Sequence, residues 1–364
     1  RVFHIRDNAG GKFYNSIFTD HANNGLEIED KGAGSSRERL EQCDLQFKHN
    51  TWYGFGAGND EFNIWDALNP SGTGDWVSTY MNANKNEIYN PEIRSISRVP
   101  FSNGLDPRPR VDGSVIQVPT NDVCAISGWS FDEVKYRGAF DPCAESTWLA
   151  GWTALDLYGF LGTVNFPPTG STITLTDASL VDSLFLGNDN EYLIDGFVFV
   201  EPGEVLTIEA GTVIRGKSAP TTGDFASALV VSAGGLISAV GCECDPIIFT
   251  GEGDDVTDNA DIDPFVQGLW GGVLMLGYAP YNCGPGQIEG IPQDTYGTLG
   301  YYGQLAGDTN SCDNSGTLKY VSIRHGGAEL SDANEINGLT MGGVGAQTAI
   351  DYVEVWSNLD DGFE

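Results

Sequence analysis

The run Asp195-Gly-Phe-Val-Phe-Val-Glu-Pro-Gly-Glu-Val-Leu-Thr-Ile-Glu-Ala-Gly-Thr-Val-Ile-Arg-Gly-Lys217 decides the fold. Phe197, Phe199, Val205, Thr207 and Val213 alternate with their neighbours at the two-residue period of a strand, and Glu201-Pro-Gly and Glu209-Ala-Gly break the run as turns. No helical period fits it. The stretch therefore reads as three very short strands. Variants of the phrase follow at Ala228–Gly241 and Pro246–Gly251, then at Gly268–Leu276, Leu318–Gly327, Ile336–Met341 and Ile350–Trp356. Short strands recurring with a loose period of roughly twenty to thirty residues mark a solenoid in which each coil buries its apolar face on the next. A parallel β-helix is expected.

Composition suits that architecture. The chain has 364 residues, ample for a core, and 48 glycines, nearly twice the usual share of about 7%, as a coil with a tight turn at each corner requires. Lys+Arg 18 against Asp+Glu 51 gives a net charge of -33. Such a surface repels nucleic acid and anionic membranes and attracts cations, calcium above all. No apolar run approaches the ~18 residues of a membrane span, and Arg1-Val-Phe-His-Ile-Arg6 is not a signal peptide, so the sequence reads as mature, soluble material.

Seven cysteines stand at 43, 124, 143, 242, 244, 283 and 312, without the spacing of zinc ligands. Cys124 and Cys143 flank one loop-rich insertion, and Cys283 and Cys312 flank another. Each pair is a candidate disulfide in an oxidising compartment. The odd count leaves one thiol unpaired or bonded between chains, and the connectivity stays open.

Three segments are expected along the chain. Residues 1–100 carry alternating runs at Val2–Arg6, Lys12–Phe18, Gly25–Glu29 and Leu45–Asn50, which fit further coils. Within them, Ser35-Ser-Arg-Glu38 has capping-box spacing for a short helix, and a second short helix is expected near Trp76. Residues 101–170 lose the repeat. Prolines 107, 109 and 119 forbid long regular elements there, Tyr136–Trp152 reads as an aromatic-rich tail packed on a solenoid, and Phe166–Gly170 reads as a linker. Residues 171–364 resume the coils.

Taken together, Tyr192–Gly203, Leu206–Lys217, Leu269–Val273, Glu335–Gly345 and Asp360-Asp-Gly-Phe-Glu364 resemble a family of large secreted bacterial surface proteins, often exported with a type IX sorting domain. The resemblance covers nearly all of 171–364, and Arg6–Gly11 and Tyr136–Thr153 share it. It implies an all-β, right-handed parallel β-helix with loop insertions and a cell-surface location, and it brings no catalytic residues. In that family the phrases of 171–364 precede those of 1–152. The expectation is therefore that the chain joins the closing half of one module to the opening half of the next, or that it is permuted or part of a longer protein.

Asp254, Asp255, Asp258, Asn259, Asp261 and Asp263 crowd hard oxygen ligands into ten residues, as Ca²⁺ prefers, although neither an EF-hand nor the nonapeptide repeat is matched. A solvated acidic loop is the plainer reading. Trp52, Trp65, Trp76, Tyr301 and Tyr302 could stack on glycans or on a neighbouring subunit, or could simply cover the coils. Asp360-Asp361 and Arg324-His325 offer groups for polysaccharide cleavage, but Asp-Asp pairs are common in turns and a negative face repels polyuronate. The expected role is an extracellular structural subunit of a surface fibre or layer, assembled end to end from copies of itself. The alternatives are a glycan-binding adhesin and a polysaccharide-degrading enzyme.

Overall fold

The computed structural model describes residues 1–31, 34–68, 75–110, 134, 136–144, 146–161, 171–243, 245–256, 260–281, 284–288, 290–303, 311–331 and 334–364. The linker expected at 166–170 lies outside them. Two compact units result: Arg1–Arg98 with Gly104–Trp148, and Val99–Asn103 with Leu149–Glu364.

In the first unit, β1 (Phe3–Ile5), β2 (Gly11–Tyr14) and β3 (Ile17–His21) form one coil. The next contains β4 (Leu26–Glu29), helix α1 (Ser36–Glu41), β5 (Leu45–Lys48) and β6 (Thr51–Phe55). A third contains helix α2 (Glu61–Ile64), β7 (Trp65–Leu68), helix α3 (Trp76–Ala83) and β8 (Glu87–Ile88). The coils stack as parallel ladders β1-β4-β7, β2-β5 and β3-β6-β8, followed by an antiparallel pair of β9 (Ile93–Ile96) and β10 (Leu105–Pro109). Each corner between the second and third strands turns on a left-handed residue, Asn15 at φ 49° and His49 at φ 57°, both types that tolerate it. Buried Asn50 pins the corners: it accepts from the Ser16 N–H and donates to the Phe13 carbonyl and to Asn86, each at 2.9 Å. The expected helix after Ser35 forms, but Ser35 makes no side-chain cap bond. Burial of Leu40 holds α1 instead.

The second unit opens with helix α4 (Ala154–Leu157). Its coils begin with β11 (Ser171–Leu175), a 3₁₀ turn (Asp177–Ser179) and β12 (Ser183–Leu186). The next two are β13 (Asn190–Ile194), β14 (Phe197–Val200) and β15 (Val205–Ile208), then β16 (Val213–Gly216), β17 (Ala228–Val231) and β18 (Leu236–Val240). β19 (Ile247–Gly251) and β20 (Val273–Leu276) precede an excursion that holds β21 (Gly286–Gln287), helix α5 (Gln293–Tyr296) and β22 (Tyr301–Tyr302). β23 (Gly316–Arg324), the small pair β24 (Glu329–Ser331) and β25 (Asn334–Glu335), β26 (Leu339–Gly342) and β27 (Ala349–Trp356) complete it.

Three parallel faces result. One runs β11-β13-β16-β19-β23-β27, the second β12-β15-β18-β23-β27 and the third β14-β17-β20-β26. β23 and β27 serve two faces because each bends at a left-handed tyrosine, Tyr320 at φ 48° and Tyr352 at φ 51°. A bulky residue there costs about 1–2 kcal/mol. Ring stacking of the two at 4.5 Å and 3°, with Trp152 edge-on, accompanies the strained corners. Gly316 is required for a different reason: at φ 117° any Cβ would run into the Ile237 carbonyl oxygen.

The three strands expected between 195 and 217 are β14, β15 and β16, turned where the Pro-Gly and Ala-Gly pairs stand. Their inward set is the complementary one. Val198, Val200, Leu206, Ile208 and Ile214 fill the coil interior. Phe197 and Phe199 point outward beneath Tyr296 and Leu299, and Val213 points outward against Leu157. Strands covered on both faces read apolar at every position, so alternation cannot tell inside from outside.

Candidate functional site

Chemistry concentrates on the outer side of the β13-β16-β19-β23-β27 face. Outward positions from successive coils align as Glu191, Val213, Ile248, Ser322 and Glu354, and beside them stand Arg215, Thr250, Arg324 and Trp356. Alternation predicts that such residues face solvent. Here the strap 149–160 and the segments 254–256 and 260–266 of the same unit lie over them, and Thr250, Ser322, Arg324 and His325 are each 0% exposed.

Polar side chains under the cover are linked to one another. Arg324 Nε donates to Ser322 Oγ at 2.8 Å, and Ser322 Oγ donates to Glu354 Oε2 at 2.8 Å. The same carboxylate receives the Ala154 N–H at 2.8 Å, which ties the start of α4 to the sheet. Burial pushes the Glu354 carboxyl up, and Arg324 opposes that rise. Arg215 pairs with Glu191 at 2.6 Å and donates to the Asp254 carbonyl at 2.7 Å. His325 joins both covering segments, with Nδ1 2.7 Å from the Val266 carbonyl and Nε2 2.9 Å from Tyr158 Oη. A carbonyl only accepts, so Nδ1 carries the proton and neutral Nε2 accepts from the tyrosine. Burial lowers the His325 pKa, and it raises that of Tyr158. This is a cross-linked polar clasp with its groups turned toward one another.

A pH dependence follows. Because the folded pKa of His325 lies below its ordinary 6.5, the unfolded chain takes up the proton first on acidification. The clasp contributes fully above pH 6.5 and loses stability as pH falls from there toward the folded value. Between pH 7.5 and 5.5 the melting temperature of the second unit should fall about 2–4 °C further in wild type than in His325→Gln, measured by differential scanning calorimetry. Raised Asp156 and Glu354 act with the opposite sign, and both proteins share them, so the difference isolates the imidazole.

The first unit offers an open apolar groove of about 660 Å³ along β2 and β3, walled by β9–β10 and residues 136–140. The Arg98–Asp20 ion pair at 2.6 Å stands in its wall.

The sequence-derived candidates fare unevenly. Trp52 and Trp65 are 0% and 2% exposed and form the core of the first unit, so they offer no stacking surface to a glycan; the covering role is the correct one. Trp76 is half-buried under the Arg37 guanidinium, 4.6 Å from its ring. Tyr301 and Tyr302 are half-buried, and Tyr302 packs on Tyr281 at 5.4 Å. In the acidic loop, Asp254 is buried and accepts from Thr250 Oγ1 at 2.5 Å, Asp261 accepts from the Asp255 and Ile262 amides, and Asp263 accepts from the Phe265 amide. Asp258 and Asn259 lie outside the described residues. Among the described residues no three of His, Cys, Asp or Glu converge as a metal would need. Cys143 is an exposed free thiol and Cys312 is exposed, while Cys124 and Cys283 lie outside the described residues. Asp360 and Asp361 are exposed on the turn before Phe363, and Arg324 and His325 are sealed beneath the strap. Glu354, Ser322 and Tyr158 were not legible as a group, since only the fold brings 158, 322 and 354 together.

Stacked parallel coils with bent strands at their corners define a β-helix. Residues 178–364 match the family described as pectate-lyase-like beta helix domain, half of the chain, and the protein belongs to that family. No curated protein and no solved structure matches it. Among the described residues no helix is long and apolar enough to cross a membrane.

Proposed function

We propose that the chain is a β-helical subunit of an extracellular or cell-surface structure, built by end-to-end association of copies rather than by catalysis. One observation supports this most. Ile173 occupies an inward position of its ladder, where Ile214 is 1% exposed, yet it is 42% exposed, with no strand beyond β11 among the described residues. Unpaired, partly apolar sheet edges template the addition of further strands. Contacts between two different edges are heterologous, and such contacts that do not close into a ring grow into filaments. The high negative charge fits a protein that stays dispersed until its edges meet.

Sedimentation velocity over a hundredfold range of protein concentration tests this reading. Species growing with concentration support it, and a single 39.0 kDa species throughout, in low and high salt, contradicts it. A glycan-binding surface protein is the second reading. It is favoured by Trp148, 46% exposed and stacked on Phe140 at 5.5 Å, and glycan-array binding lost in Trp148→Ala would support it. Polysaccharide turnover abolished by Asp360→Asn or Asp361→Asn would carry the third.

A further inference from the structure

We propose that the first unit carries a pocket for a neutral saccharide at the corner where its coils turn into the β4–β7 ladder, built from Asn23, Asn24, Phe62, Asn63 and Asp66. The site is separate from Trp148 and independent of self-assembly.

Register sets these residues side by side. Leu26 pairs with Trp65 and Glu27 with Asp66, and the Gly25 N–H donates to the Ile64 carbonyl at 3.1 Å, so the turn Asn23-Asn24 before β4 lies beside helix α2 before β7. An open pocket of about 600 Å³ lies there, within the roughly 300–1,000 Å³ of small-ligand sites. Its polar groups keep bonding capacity. The side-chain amides of Asn23 and Asn24 make no hydrogen bond among the described residues. Asn63 Nδ2 is held by Asp60 at 2.6 Å, which leaves Asn63 Oδ1 to accept. Asp66 Oδ1 accepts the Ala67 N–H at 2.8 Å, and its second oxygen is left for a ligand. At the rim Phe62 is 78% exposed, on the short helix that Asp60 caps.

Stability does not account for Asp66. It stands directly opposite Glu27, and like charges opposed across neighbouring strands repel. The cations of this column, Arg1 and His4, pair with Glu27 at 3.3 and 3.4 Å, and among the described residues none pairs with Asp66.

The ligand class follows from what the lining rejects. An apolar molecule would leave the amides unpaired. An anion would meet Asp66 and find Arg1, at the edge of the pocket, already engaged. A bare cation would find one open carboxylate. A neutral saccharide satisfies the site: its hydroxyls both donate and accept, as the three amides and the carboxylate require, and the C–H face of its ring packs on Phe62.

Saturation-transfer difference NMR with the methyl glycosides of glucose, galactose, mannose and N-acetylglucosamine tests this, followed by titration of those that respond. Asp66→Asn should weaken binding at least about tenfold, the worth of a hydrogen bond to a charged group. Its melting temperature should hold or rise, because the repulsion with Glu27 is relieved. Phe62→Ala should weaken binding at unchanged melting temperature, and Phe62→Trp should retain it. Binding lost in Trp148→Ala but kept in Asp66→Asn and Phe62→Ala would move the glycan site to Trp148 and overturn this assignment. A lowered melting temperature in Asp66→Asn with binding intact would make Asp66 a structural residue and overturn it too. So would silence from all four glycosides, whether or not the protein self-assembles.

Discussion

Replacing Arg324 with alanine should destabilise the second unit by about 3–5 kcal/mol, the cost of breaking a buried charged network by removing one member. The side chain is 0% exposed, its Nε holds Ser322 Oγ, and its charge offsets the cost of burying Glu354. Without it, the carboxylate is left under the strap with backbone amides and one hydroxyl. Arg324→Met combined with Glu354→Gln should recover most of the loss, since both charges then disappear together. Urea denaturation of the two variants measures this. A loss below 1 kcal/mol in Arg324→Ala would mean that the strap is not fastened through this network.

Trp52→Ala should cost the first unit about 3–5 kcal/mol. The indole is fully buried, within 6.2 Å of the rings of Phe3, Phe18, Phe47, Phe55 and Trp65. Its Nε1 also lies 3.4 Å from Asn86 Oδ1, so truncation removes both packing and a partner of the asparagine line. The same variant separates a core role from a glycan-stacking one: a large fall in urea midpoint accompanies the first, and loss of ligand binding with unchanged stability accompanies the second.

The coils were legible because turn chemistry is local. Pro-Gly and Ala-Gly at 202–203 and 210–211 punctuate strands wherever they stand, and the structure places β14 before the first, β15 between them and β16 after the second. Which side of each strand faces inward was not legible. That depends on what covers the outer face, and α4 comes from far along the chain. Trp52 and Trp65 carried the same ambiguity, since an aromatic residue beside Gly and Asn suits a binding loop as well as a packed corner. The bends at Tyr320 and Tyr352 had no sequence signal at all. Tyrosine disfavours positive φ, and stacking between successive coils, with Trp152 edge-on, accompanies it there. The polar clasp was hidden for a related reason: Ser322 and Glu354 obey the outward rule, and burial follows from a strap that periodicity does not register.

Cryo electron microscopy of the protein concentrated in high salt tests the central claim most directly. Filaments in which the coil spacing of about 4.8 Å continues across each subunit junction are the expected result. Discrete particles of one 39.0 kDa chain under every condition would contradict it.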